Sequence, residues 1–298
     1  MQKKMHNFVV LIPRSRTNSY HSVTRLPELE MESANEEFLL LLLSDSNLPT
    51  GGFIASSGLE SFVQHGYLLD PSNATGSKSI GILEFIRKSI HSYARLNLPF
   101  LTASHRAVSM LKDVRGGEVM ESSMEQALER IRTVDRLFEA MTLNHVSKRA
   151  SIAQGIALLT LFDKSFSPPT TPRSPPAPEK ILVERLRATI RKGESFGHHP
   201  VGFGIITAAL SLSLPASQNL FLFLHARSIL SSAIRLNIIG PYISHRLLLR
   251  DVRPLIAEAM EKCKDLELES GVGPVVTWPL GEILAARHDT LHSKIFNS

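Results

Sequence analysis

Apolar residues return every three or four positions through most of this chain, and nowhere is there a sustained alternation of apolar and polar residues. A half-buried strand needs that alternation, because successive side chains leave a sheet on opposite faces. Leu83, Ile86, Ile90 and Tyr93 form one helical stripe, and Leu128, Ile131, Val134, Phe138 and Met141 form another. Aromatic residues make up only 6% of the chain while Leu, Ile and Ala abound, a balance that favours helices over a sandwich. The expected fold class is therefore all-α, a single-domain helical bundle of about ten helices. With 43% hydrophobic residues, the chain can fill a sizeable core.

Local signals divide the chain. Residues 1–32 read as a disordered N-terminal extension and 33–298 as the helical domain. Ser33 and Glu36 have the spacing of a capping box. The run Phe38 to Leu43 is apolar on every side, which predicts a deeply buried helix. Ser44 to Asn47 stops it, and Pro49 with Gly51 and Gly52 forces an irregular loop. A helix is expected from Ser57 to Tyr67, ending near Gly66, then a loop from Asp70 to Ser79. Pro99 should kink or end the next helix. Another begins after Ser122, with Glu125 as its partner, and runs on or restarts through Ile152, Ile156 and Leu159. Six prolines within 165–178 mark an extended, Pro-rich surface insertion. Helices resume over 181–192, 201–214, 218–236 and 242–265. The small residues Gly202, Gly204, Ala208 and Ala209 would let one of them lie very close to a neighbour.

Charge and motifs exclude more than they assign. Lys and Arg number 33 against 28 acidic residues, and Lys3, Lys4, Arg14, Arg16 and Arg25 fall in an N-terminal stretch with no acid. The rest is near balance, so no nucleic-acid footprint is expected. That basic, Ser/Thr-rich arm faintly resembles a transit peptide but fits an extension of a cytoplasmic protein better. The single cysteine, Cys263, permits no internal disulfide and no thiolate metal set. Pro200 to Leu224 lacks charge over a membrane-spanning length, yet Pro215 and the polar residues around it point to two buried helices. Gly76 to Ser79 lacks the order of a phosphate-binding loop, and there is no Gly-x-Ser-x-Gly or His-Glu-x-x-His. Twelve histidines invite a metal, but His198 and His199 are adjacent at a turn, where capping or backbone bonding is the simpler role. His91, His105, His145 and His225 lie on otherwise apolar helices and assemble no coherent ligand set. No catalytic residue and no metal ligand is assigned. The alternative kept open is a metal-dependent hydrolase built on the His-containing bundle.

Three segments together resemble the UreF family of urease accessory proteins. The first is residues 40–60, a Leu-rich helix followed by Pro49-Thr-Gly-Gly-Phe53 and Ser57-Gly-Leu-Glu60. The second is His198-His-Pro-Val-Gly-Phe-Gly204, with Ser232-Ala-Ile-Arg-Leu-Asn-Ile-Ile-Gly-Pro241. The third is the tail, Arg287 to Ser298. The resemblance implies a cytoplasmic, non-catalytic protein, usually a homodimer, with no nucleic-acid or membrane partner. It implies a bridge between a UreD/UreH-type accessory protein and the UreG GTPase that loads nickel into apo-urease. Nickel would be in transit, with no cofactor held stably. The matched motifs carry over Phe53, Ser56, Glu60, Arg235, Gly240, Pro241, His288, Leu291, Ser293, Lys294 and Phe296 as partner-binding candidates. Phe53 and Lys294 stand where the family commonly has Tyr and Arg, and Ala55 stands where many bacterial members have His. The resemblance also leads us to expect that Gly281 to Ser298 is mobile until a partner binds. Arg235 is expected to brace a helix end.

Overall fold

A computed structural model describes residues 35–68, 77–112, 117–167, 176–269 and 273–297, and among them there is no strand. Contacts divide the chain after Phe38, and residues 39–298 form one compact unit. The chain is helical over 35–43 (α1), and ten helices follow. These are α2 (Leu59–Gln64), α3 (Ser77–Lys112), α4 (Gly117–Met141), α5 (His145–Leu161), α6 (Pro178–Arg191), α7 (His199–Ala209), α8 (Leu214–Arg235), α9 (Pro241–Leu247), α10 (Arg253–Cys263) and α11 (Pro279–Ala286). The N-terminal arm, Ser33 of the expected capping box, 70–76 of the expected loop and 168–175 of the Pro-rich insertion lie outside the described residues. Among the described residues no helix is long and apolar enough to cross a membrane. The uncharged stretch is two helices, α7 and the start of α8, parted by Ser211 at φ 65° and capped anew by Ser213, whose Oγ accepts from the Ala216 amide.

The long α3 is the spine, and α4, α7, α8 and α10 pack around it. Its Leu83 to Tyr93 stripe continues through Leu98, Phe100 and Leu101, all buried, so the helix passes Pro99 without ending. An interior proline costs about 3 kcal/mol, which the burial of three large side chains at about 1.5–3 kcal/mol each outweighs. The α4 stripe is buried from Leu128 to Phe138, but the helix already runs from Gly117, so Ser122 and Glu125 lie inside it. After Met141 the chain restarts: the Asn144 side chain accepts from the amides of Val146 and Ser147 and caps α5. The expected helix over 242–265 is interrupted by a π turn, Leu248–Val252. Pro254 has no N–H to return to the preceding turn, and the wider turn accommodates the gap. Phe38 to Leu43 is corrected too: Leu43 is buried, but Phe38 is 65% and Leu41 72% exposed. An all-apolar helix on the surface of a bundle covers only one face.

α7 sits at the centre, buried from Pro200 to Ala208. Its small residues matter at fixed points. A Cβ on Gly204 would stand 2.4 Å from the Leu101 carbonyl oxygen of α3, and one on Gly202 3.3 Å from that of Gly155 in α5. The approach to α7 is held by one fully buried carboxylate, Asp135 of α4. It accepts from the Ser195 hydroxyl (2.7 Å) and from the amides of Phe196 (2.6 Å), Gly197 (2.9 Å) and His198 (2.9 Å). The His198 side chain neither caps α7 nor bonds backbone, contrary to expectation. Its Nε2 lies 2.9 Å from Glu139 and its Nδ1 3.2 Å from the Ser151 hydroxyl. Burial lowers its pKa against the pull of Asp135 and Glu139. Asp135→Asn leaves amide donors facing amide donors. It should cost roughly 2 kcal/mol, read as a lower urea midpoint at unchanged slope; an unshifted midpoint would show that the turn holds itself.

Candidate functional site

α8 presents a polar stripe on an otherwise apolar helix. Arg227 donates to the Ser44 carbonyl, Ser228 to the carbonyls of Gly52 and Ala55, Ser232 to that of Ala55, and Arg235 to that of Phe53. The irregular loop with Gly51 at φ 75° is thus tied down through its carbonyls, which have no ladder of their own. The tail lies across this loop. The Asn297 amide donates to the Ile54 carbonyl at 2.9 Å, and the Arg235 guanidinium lies 4.0 Å from the Phe53 ring and 4.3 Å from the Phe296 ring. Arg235 therefore joins loop and tail instead of only bracing a helix end. It is sandwiched between two π faces, each a favourable seat for a cation.

Glu60, in the first turn of α2, is the second anchor. It is 1% exposed and accepts from the amides of Ile295 (2.7 Å) and Phe296 (3.2 Å), and from Nε2 of the fully buried His288 (3.1 Å). Gln64, one turn further along α2, donates to the Ser293 carbonyl at 2.9 Å. Gly58, at φ 81°, lets the loop press on α11, where its Cβ position lies 3.0 Å from that of Ala285. The tail expected to be mobile until a partner binds is thus docked in this structure, with Phe296 at 2% exposure.

A third set brings in Arg149 and Asn144, which the sequence did not single out, and gives His145 a partner in the tail. Arg149 of α5 makes two parallel hydrogen bonds of 2.9 Å to Asp289 and a further one to the Asn297 carbonyl. His145 stands 3.2 Å from the same carboxylate. Lys294 donates to the Asp289 carbonyl at 3.3 Å. Asn144 donates to the Glu282 carbonyl and carboxylate, fixing α11, and burial raises the Glu282 pKa.

The Arg149 hydrogen bonds hold the Asp289 carboxyl down at about 2. A carboxylate depressed on folding stabilises the folded form above its ordinary pKa near 4, and that contribution disappears as pH falls through the folded value. Tail docking should therefore weaken between about pH 4 and about pH 2. Limited proteolysis with an acid-active protease reads it. Asp289→Asn should flatten the dependence, and an unchanged pH profile would remove Asp289 from the lock.

Of the sequence candidates, Phe53, Glu60, Arg235, His288, Lys294 and Phe296 converge at this junction, and Ser293 joins it through its carbonyl. Ser56 is buried in the loop and Leu291 half-buried beside the tail turn. Gly240 and Pro241 instead open α9, as its N-cap and first residue, and the tail's hydrogen bonds run elsewhere. Ala55 is buried, and its carbonyl serves the α8 serines. Arg149, His145 and Asn144 were missed because nothing in their local sequence refers to the tail. The α8 polar stripe was the one legible signal for the loop contacts. Among the described residues no three His, Cys, Asp or Glu side chains are grouped to hold a metal ion, and no contact favours the hydrolase alternative.

This junction joins the first and last segments of the resemblance through α8, which carries Ser232 to Arg235 of the middle one. The UreF family model matches residues 80–250. The chain belongs to the UreF family. Urease accessory protein 6 of the fungus Cryptococcus neoformans var. grubii is 37% identical over 89% of this chain and 98% of its own length. An uncharacterized urease accessory protein UreF-like from Schizosaccharomyces pombe is 28% identical, covering 90% of this chain and 99% of the relative. Urease accessory protein F of Oryza sativa subsp. indica is also 28% identical, over 85% of this chain and 82% of its own. The UreF family model stops short of the loop motif and the tail, whereas these relatives span most of the chain.

Proposed function

We propose that this UreF-family protein acts in urease maturation as a non-catalytic adaptor. It bridges a UreD/UreH-type accessory protein and the UreG GTPase so that nickel, as cargo, reaches apo-urease in the cytoplasm, and it works as a homodimer. The observation that carries this reading is the junction of loop 52–56, α2 and tail. It draws on the matched motifs at both ends of the chain and leaves Phe53 60% and Ile295 65% exposed beside a rigid, hydrogen-bonded base. Exposed apolar side chains on a rigid support are the usual anchors of a protein interface.

The test is size-exclusion chromatography of the full chain, and of a form ending at Pro279, with cognate UreD and UreG. The full chain should co-elute with both, and the truncated form should lose them. If the full chain binds neither, the adaptor reading fails. If the truncated form binds both equally well, the tail is not the working part.

A further inference from the structure

A cavity of about 690 Å³ opens beneath the loop over residues 43–58, walled by α3, α5, α8 and α11. Its volume lies within the roughly 300–1,000 Å³ that small-molecule sites occupy. The floor is aromatic. Tyr93 stacks on His225 with ring centroids 3.8 Å apart and planes 3° from parallel, and Phe203 meets His199 edge-on at 5.9 Å. Tyr93, His199 and His225 lie deep in the bundle yet keep accessible surface, because that surface faces the cavity. The Tyr93 hydroxyl has only a long 3.4 Å contact with His199 Nδ1, whereas Ser89 and His225 Nε2 share a 2.9 Å hydrogen bond. A few polar groups on an apolar, aromatic floor are what orient a bound molecule.

The floor carries no charge at neutral pH. Burial brings His199 down to about 4 and His225 to about 3 and pushes the Tyr93 hydroxyl up, so each stays neutral. The charged groups of the lining are hydrogen-bonded within the protein: Arg227 and Arg235 donate to loop carbonyls, Glu282 accepts from Asn144 and Asp45 from Asn47. A charged guest seated on these neutral rings would shed its hydration against groups that carry no charge. A planar neutral one would stack on the floor and keep one or two hydrogen bonds.

We infer that this cavity is a binding site for a small, uncharged aromatic molecule carrying one hydrogen-bonding group, seated on Tyr93, His199 and His225. The inference goes beyond the adaptor role and does not depend on it. The single tryptophan, Trp278, lines the same cavity and serves as a built-in reporter. The probe is N-phenyl-1-naphthylamine, neutral and aromatic with one N–H, titrated into the full chain with excitation of Trp278. Saturable one-to-one energy transfer is expected, with the anionic analogue 8-anilino-1-naphthalenesulfonate binding about tenfold or more weakly. Ala150→Phe adds a ring to the cavity wall and should weaken the neutral probe by at least about tenfold. Ala257→Phe, on the exposed face of α10, should leave it unchanged. Unsaturable binding, equal affinity for the anion, or unchanged affinity in a folded Ala150→Phe would overturn the site. Should Ala150→Phe not fold, the stoichiometry and the Trp278 transfer in the natural chain decide.

Discussion

Glu60→Gln should release the tail while leaving the helical body folded. The carboxylate is an acceptor at both oxygens for three donors, two of them backbone amides of the tail. The amide that replaces it keeps one acceptor oxygen and points an NH₂ group at the remaining donors. Removing one member of such a buried, charge-assisted cluster costs about 3–5 kcal/mol. The chain can escape most of that cost by undocking 288–297 and letting water solvate the freed groups, so the response should be local opening. Hydrogen exchange should find the amides of Ile295 and Phe296 unprotected in Glu60→Gln, with those of α3 and α7 unchanged. Under the adaptor reading the variant also loses partner binding at normal stability of the body. Protected tail amides in this variant would mean that Arg235 and Arg149 hold the tail without Glu60.

Gly155→Ala should be the most damaging single-methyl change in the bundle. A Cβ at Gly155 would stand 2.0 Å from the Gly197 carbonyl oxygen and 2.7 Å from the His198 carbonyl carbon, both backbone atoms. That backbone cannot retreat easily, because Asp135 grips it through four hydrogen bonds. Alanine offers about 1 kcal/mol of better helix propensity, against overpacking that costs about 1–3 kcal/mol and more where backbone must move. We expect a net loss of roughly 3 kcal/mol and, at about 2–4 °C per kcal/mol, a melting point about 6–12 °C lower. Gly52→Ala is the control: its nearest atom would be 3.7 Å away, an ordinary contact. A Gly155→Ala protein that melts with the natural chain would show that α5 and α7 can slide apart, contrary to the packing described.

Helices, their stripes and the absence of strands were legible because periodicity is local: one turn of sequence determines which side chains share a face. The same logic located the small residues of α7 as a contact, since only Gly and Ala allow such approach. Legibility failed where a distant group settled the matter. Pro99 looked like a kink or a stop because local cost is visible and long-range burial is not. Phe38 to Leu43 looked buried because hydrophobicity does not say which face a neighbour will cover. The tail residues could be named by resemblance, but not what they touch.

By itself, then, the sequence determined an all-α bundle, its helical stripes and the irregular loop at Pro49 to Gly52, while Glu60, Arg235 and His288 to Phe296 were named through resemblance. Only the tertiary structure decided that Glu60 accepts from the tail, that Arg149 clamps Asp289 and that Asp135 holds the entry to α7. Those pairings join residues 60 or more positions apart. No local propensity encodes them, because each exists only once the packed core has brought its two partners within hydrogen-bond reach and excluded the water that would otherwise satisfy them.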